Sequence, residues 1–65
     1  MSTAEKLARE LVRVTRIRTL YAQRNSGAYA LDTIEAAIEQ SCRAIGSGDE
    51  GVMVAAGLVL ETIVV

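Results

Sequence analysis

The chain has 65 residues, a net charge of −1 and 51% hydrophobic residues, which suits one small domain whose core contributes no more than roughly 3–5 kcal/mol. Small domains usually need a disulfide, a metal or oligomerisation, but Cys42 is the one cysteine and histidine is absent. An internal disulfide is therefore excluded, no metal or cofactor is expected, and oligomerisation remains as the support.

The first predicted helix covers residues 3–24. Ser2 and Glu5 have the spacing of a capping box at its start. An apolar stripe then follows the three- and four-residue spacing of one helix face, with Arg18 where an apolar residue is expected. The stripe consists of Ala4, Leu7, Leu11, Val14, Arg18 and Tyr21. The segment RNSG, residues 24–27, ends the helix because Asn and Gly tolerate a left-handed conformation.

The second predicted helix covers residues 28–45, although a second capping-box spacing at Asp32 and Glu35 would also allow a start at Thr33. Its predicted apolar stripe consists of Leu31, Ile34, Ile38, Cys42 and Ile45. Gly46 is expected to end the helix. The following segment GSGDEG is interpreted as a turn, in which Asp49 or Ser47 caps the next helix.

The third predicted helix covers residues 49–64. Its many β-branched residues leave a strand possible. No other segment alternates with period two to pair with such a strand, and the central VAAGL favours a helix. In a helix, one face carries Val52, Ala56, Val59 and Ile63, and nearly the opposite face carries Val54, Leu58, Glu61 and Val65.

These segments predict an all-α fold, either a small three-helix bundle or a helical hairpin with a C-terminal helix. The first two helices can cover one face of the third, so apolar side chains are left over, and exposed apolar patches usually mark an interface. The predicted oligomer interface consists of Val54, Leu58 and Val65 with Ile17 and Leu20 of the first helix. We therefore expect a homodimer or a higher oligomer; the alternative is an ordinary three-helix core with frayed ends.

Charge is segregated along the chain. Residues 1–24 carry six basic and two acidic side chains, whereas residues 25–65 carry one basic and six acidic ones. A cationic stripe on the first helix consists of Lys6, Arg9, Arg13 and Arg16. It is either a surface for nucleic acid or an acidic partner, or a solvated helix face. The acidic net charge and the lack of interleaved aromatic residues favour the solvated face.

Arg18 has two main interpretations. Its stem can pack at the edge of the bundle while the guanidinium reaches solvent. Alternatively, it forms an ion pair with Glu61 or Glu35 that fixes the register between helices. A catalytic role is not expected for Cys42, which is predicted to be a small buried side chain, because the sequence has no histidine to act as its base.

The apolar run at residues 52–65 has 14 residues and contains Glu61, so it is too short to span a bilayer, which takes about 20 residues. The first ten residues do not resemble a signal peptide. The sequence thus predicts a cytoplasmic, non-enzymatic helical adaptor or regulatory protein. It would act through protein–protein contacts as a homodimer, with another protein as a further possible partner. The alternative is a nucleic-acid-associated protein that uses the basic first helix.

Overall fold

In a computed structural model, which describes residues 2–24 and 28–64, the protein folds into three α-helices. They are α1 (Thr3–Arg24), α2 (Ala28–Ser47) and α3 (Glu50–Glu61). Each helix contacts the other two, and no strand occurs in the described ranges. The prediction of an all-α three-helix bundle is therefore confirmed.

The helices differ in length, and this difference sets the shape of the bundle. Contacts of Thr3 and Arg13 with the two ends of α3 show that α1 and α3 run in parallel. α1 has 22 residues and α3 has 12, about 33 Å against 18 Å at the helical rise per residue. α3 therefore lies beside only the first half of α1, while α2 runs antiparallel to both.

Side-chain caps fix where α1 and α3 begin. The backbone N–H of Glu5 donates to Ser2 Oγ at 3.1 Å, as the capping-box spacing predicts. The N–H of Val52 donates to Asp49 Oδ1, also at 3.1 Å. Each cap satisfies a backbone donor that has no partner inside its helix.

α2 continues two residues past its predicted end. Gly48 rather than Gly46 adopts the positive φ of 69° that terminates a helix. Its N–H donates to the carbonyl of Ile45 at 3.2 Å. The prediction failed because both glycines can end a helix, and the sequence alone does not choose between them.

The core of the bundle confirms the α1 stripe and widens it. Leu7 and Val14 are buried, Ala4, Leu11 and Tyr21 are partly buried, and Arg18 is exposed. Ile17 is also buried, with 5% of its surface exposed, so its assignment to an oligomer interface is wrong. α1 packs against two helices rather than one, and its buried face is therefore broader than a single stripe.

The inward face of α2 differs from the prediction. Its buried residues are Ile34, Ala37, Ser41 and Ala44. Cys42 and Ile45 are exposed, so the predicted stripe faces partly outward. Small residues at the contact allow helices to approach closely, and the hydroxyl of Ser41 is satisfied by donating to the carbonyl of Ala37 at 2.9 Å.

α3 contributes one narrow stripe to the core. Its buried residues are Met53, Ala56 and Leu60. Val52 and Val59, expected on the inward face, are 45% and 40% exposed. The helix ends at Glu61, three residues before the predicted end. Within residues 2–24 and 28–64, no helix has the length and apolarity to cross a membrane.

The Asp49 cap is predicted to stabilise the whole bundle. Asp49→Ala removes the acceptor for Val52 N–H, and we expect a loss of about 1 kcal/mol in the free energy of unfolding, measured by chemical denaturation. Asp49→Asn is the matched control, because asparagine caps equally well. An equal loss in both variants would contradict a capping role.

Candidate protein-interaction surface

The outward side of α3 is apolar along most of its length. We call the exposed residues Val52, Val54, Ala55, Leu58 and Val59 the α3 outer face. Val54 is 50% exposed and Leu58 is 59% exposed. This surface follows from the sequence, because a helix that is apolar on all sides but buries only one stripe must leave its other side in contact with solvent.

The structure brings together only part of the predicted oligomer interface. Val54 and Leu58 lie one turn apart on the α3 outer face. Leu20 is 39% exposed but lies about 10 Å beyond Arg13 along α1, past the end of α3. Val65 lies outside the described residues. The candidate surface is therefore centred on α3 and does not extend to Leu20.

A groove of about 190 Å³ lies at the surface between α3 and the first half of α1. We call it the α1/α3 groove. Buried Leu7 and Met53 line it together with Gly57, and Val54 and Leu58 belong to both the groove and the α3 outer face. The remaining lining residues are polar or charged: Ser2, Thr3, Lys6, Glu10 and Glu61. The apolar groove thus has a rim that carries both signs of charge.

Gly57 makes a notch in the lining of the groove. A Cβ atom built there would lie 3.8 Å from Leu7 Cδ1, an ordinary contact distance. The fold could therefore hold alanine at this position. Glycine inside a helix is about 1 kcal/mol less favourable than alanine. The packing within one chain does not explain why this cost is tolerated. The absence of a side chain at Gly57 leaves an open notch in the groove.

Arg13 anchors the end of α3 to α1. Its Nη1 and Nη2 donate to the carbonyls of Ile63 and Leu60 at 2.7 and 2.8 Å, and its Nε donates to Glu10 Oε2 at 2.6 Å. The guanidinium thereby adds charged donors to the carbonyl of Leu60, which also accepts from the N–H of Ile63 at 3.0 Å, and to the carbonyl of Ile63 beyond the helix end. Sequence reasoning missed this role, because no local pattern shows which carbonyls an arginine will reach.

The predicted cationic stripe is consequently interrupted. Lys6, Arg9 and Arg16 are exposed as expected of such a stripe. Arg13 lies between them but directs its donors toward α3 and Glu10. Three exposed cations remain on this side of α1, without a continuous row.

Arg18 pairs with Glu35 of α2 rather than with Glu61. The distance from Arg18 Nε to Glu35 Oε1 is 3.3 Å. Of the two predicted partners, Glu61 is wrong, because α3 ends level with Arg13 and does not reach Arg18. Both paired side chains are about half exposed, so the pair contributes at most about 1 kcal/mol.

Cys42 lies on the exposed side of α2 as a free thiol, not in the core as predicted. On the same side, Arg43 and Glu39 form an exposed ion pair at 3.6 Å. In the part of the chain that the structure describes, no three potential metal ligands converge.

The Arg13 anchor is predicted to stabilise the fold through its geometry rather than its charge. Arg13→Lys keeps the charge but cannot donate to three acceptors in a planar fork, and we expect unfolding free energy to fall by about 1–2 kcal/mol. Arg16→Lys is the matched control, since Arg16 is exposed, and its effect should stay within about 0.5 kcal/mol. Denaturant titration measures both, and equal stabilities would contradict the anchor.

Comparison with known proteins adds no assignment. No family model matches the chain, and neither the curated proteins nor the solved structures contain one that is significantly similar to it. Function is therefore inferred from the surface of the chain.

Proposed function

We propose that this chain is a small non-enzymatic adaptor or regulatory protein of the cytoplasm, which acts through protein–protein contacts as a homodimer. The observation that carries the proposal is the α3 outer face, where Val54 and Leu58 are at least half exposed next to an apolar groove. Contiguous apolar surface with a polar rim is typical of protein interfaces.

The energetics support association through this surface. Full burial of a leucine or valine side chain contributes about 1.5–3 kcal/mol, so covering the exposed half of Leu58 contributes roughly half of that amount. A two-fold dimer gains every such contribution twice, because each patch appears on both chains. Covering Val54 and Leu58 on both chains thus contributes about 3–6 kcal/mol, against a cost of association of about 4 kcal/mol or more.

The available side chains support a role without catalysis. The sequence has no histidine, the usual general base, and its one cysteine lies on an exposed helix surface. The carboxylates Glu35 and Glu39 are exposed and paired with arginines. These are the features expected of solvated helix faces.

Self-association is predicted to depend on Leu58. Sedimentation equilibrium over the micromolar range should show a wild-type dimer, while Leu58→Glu should be monomeric because the dimer would bury an unpaired charge. Val12→Glu is the matched control, because Val12 is 54% exposed on a side of α1 that neither neighbouring helix covers. Circular dichroism should show equal helicity in all three proteins. A wild-type monomer at high micromolar concentration would contradict the proposed homodimer.

The alternative of nucleic-acid association depends on Lys6, Arg9 and Arg16. The bonds of Arg13 within the chain and the acidic net charge speak against it. In titrations at low salt, we therefore expect no binding of duplex DNA or RNA. Binding that weakens steeply as salt rises, and that is lost in a triple glutamine variant of these cations, would instead support the alternative.

A further inference from the structure

We infer that two copies of this chain meet at the α1/α3 groove, with Leu58 of each chain seated in the notch over Gly57 of the other. The inference rests on the proposed homodimer and specifies its interface and its symmetry. It is carried by the shape of the groove, the position of Leu58 and the charges on the rim.

The groove has the lining of a socket for a helical side chain. Val54, Gly57, Leu58 and Glu61 are related as i, i+3, i+4 and i+7, the four positions that form a hole for a knob from a facing helix. All four line the α1/α3 groove. Because Gly57 has no side chain, the hole is deep enough to admit a large apolar knob from the facing helix.

The knob that fits this hole lies on the same helix. Leu58 is the largest exposed apolar side chain of α3 and adjoins the notch. When two α3 helices pack antiparallel about a two-fold axis between Gly57 and Leu58, each leucine enters the other hole at the same time. A two-fold interface between identical chains requires a surface that is complementary to itself, whereas an interface with an unrelated protein has no such requirement. The occupant is therefore a second copy of this chain.

The charges on the rim agree with this arrangement. Thr3 and Arg13 contact Glu50 and Leu60, which sets a constant offset between α1 and α3 and places Lys6 level with the N-terminal half of α3. In an antiparallel pair, the C-terminal half of the second α3 lies opposite that level. Lys6 of one chain thus comes beside Glu61 of the other, and both residues are exposed and line the groove.

The dimer also accounts for the glycine. Within one chain, Gly57→Ala places its methyl group at an ordinary 3.8 Å from Leu7 and gains helix propensity. In the dimer, the same methyl group would occupy the notch that receives Leu58 of the second chain, and the two groups would clash. The cost of glycine inside α3 is thus explained by the interface and not by the fold of one chain.

The first test compares Gly57→Ala with Gly46→Ala. Both replace a helical glycine, but a Cβ atom at Gly46 meets nothing within 4 Å, and Gly46 is not among the groove residues. At concentrations well below the wild-type dimer dissociation constant, where all chains are monomeric, we expect both variants to be at least as stable as wild type toward thermal unfolding. Only Gly57→Ala should raise the dimer dissociation constant, by tenfold or more, because the filled notch occurs twice.

The second test uses mixed charge reversals. Lys6→Glu and Glu61→Lys should each weaken their own homodimer, because each places like charges opposite one another at both ends. An equimolar mixture should form a heterodimer tighter than either homodimer, since both contacts then join opposite charges. Native mass spectrometry with one chain isotopically labelled measures the three dimers directly. Contacts within one chain would give no such rescue.

The outcomes separate the inference from the proposed function. A wild-type dimer with equal dissociation constants for the two alanine variants, or a mixture without preferred heterodimer, overturns the inference and leaves the homodimer with another interface. A wild-type monomer contradicts the proposed homodimer and the inference with it. A selective effect of Gly57→Ala together with heterodimer rescue supports the two-fold groove interface.

Discussion

The surface of this protein is determined by a limit on how much of α3 its two neighbours can cover. A helix in a three-helix bundle presents one stripe to the core. α3 fills that stripe with Met53, Ala56 and Leu60, yet nearly all its other residues between the two terminal glutamates are apolar as well. Packing that satisfies the fold therefore leaves an apolar face in solvent. That face, rather than any reactive side chain, is the distinctive chemical feature of the molecule.

Polar contacts determine where this face lies. Thr3 bonds to Glu50 at the start of α3, at 2.7 Å, and Arg13 binds the carbonyls at its end. The two contacts hold a short helix at a fixed height beside the first half of α1. The height determines which side chains border the groove, and hence that Lys6 and Glu61 form part of one rim. The same few bonds thus contribute to stability and position the surface chemistry.

The features that sequence predicts well are local ones. The Ser2 cap and the α1 stripe depend on neighbours within one or two turns, and both are confirmed. The inward face of α2 was predicted from its largest apolar residues, but the small residues Ala37 and Ala44 are buried there while Ile45 is exposed. Partners of Arg13 and Arg18 depend on where α3 ends relative to α1. The position of α3 along α1 depends on tertiary contacts, and the periodicity of the sequence does not encode it.

The unequal helix lengths have a dynamic consequence. Leu7 lies where α1 packs beside α3 as well as α2, whereas beyond Ile17 the only described residues that accompany α1 and α2 are Thr62, Ile63 and Val64 of the tail. Fewer apolar contacts protect the backbone there, so this end should open at lower free energy than the end bearing the groove. The half of the bundle that bears the groove would then be more rigid than the other half. The candidate interaction surface on this rigid half would need little conformational rearrangement to bind a partner.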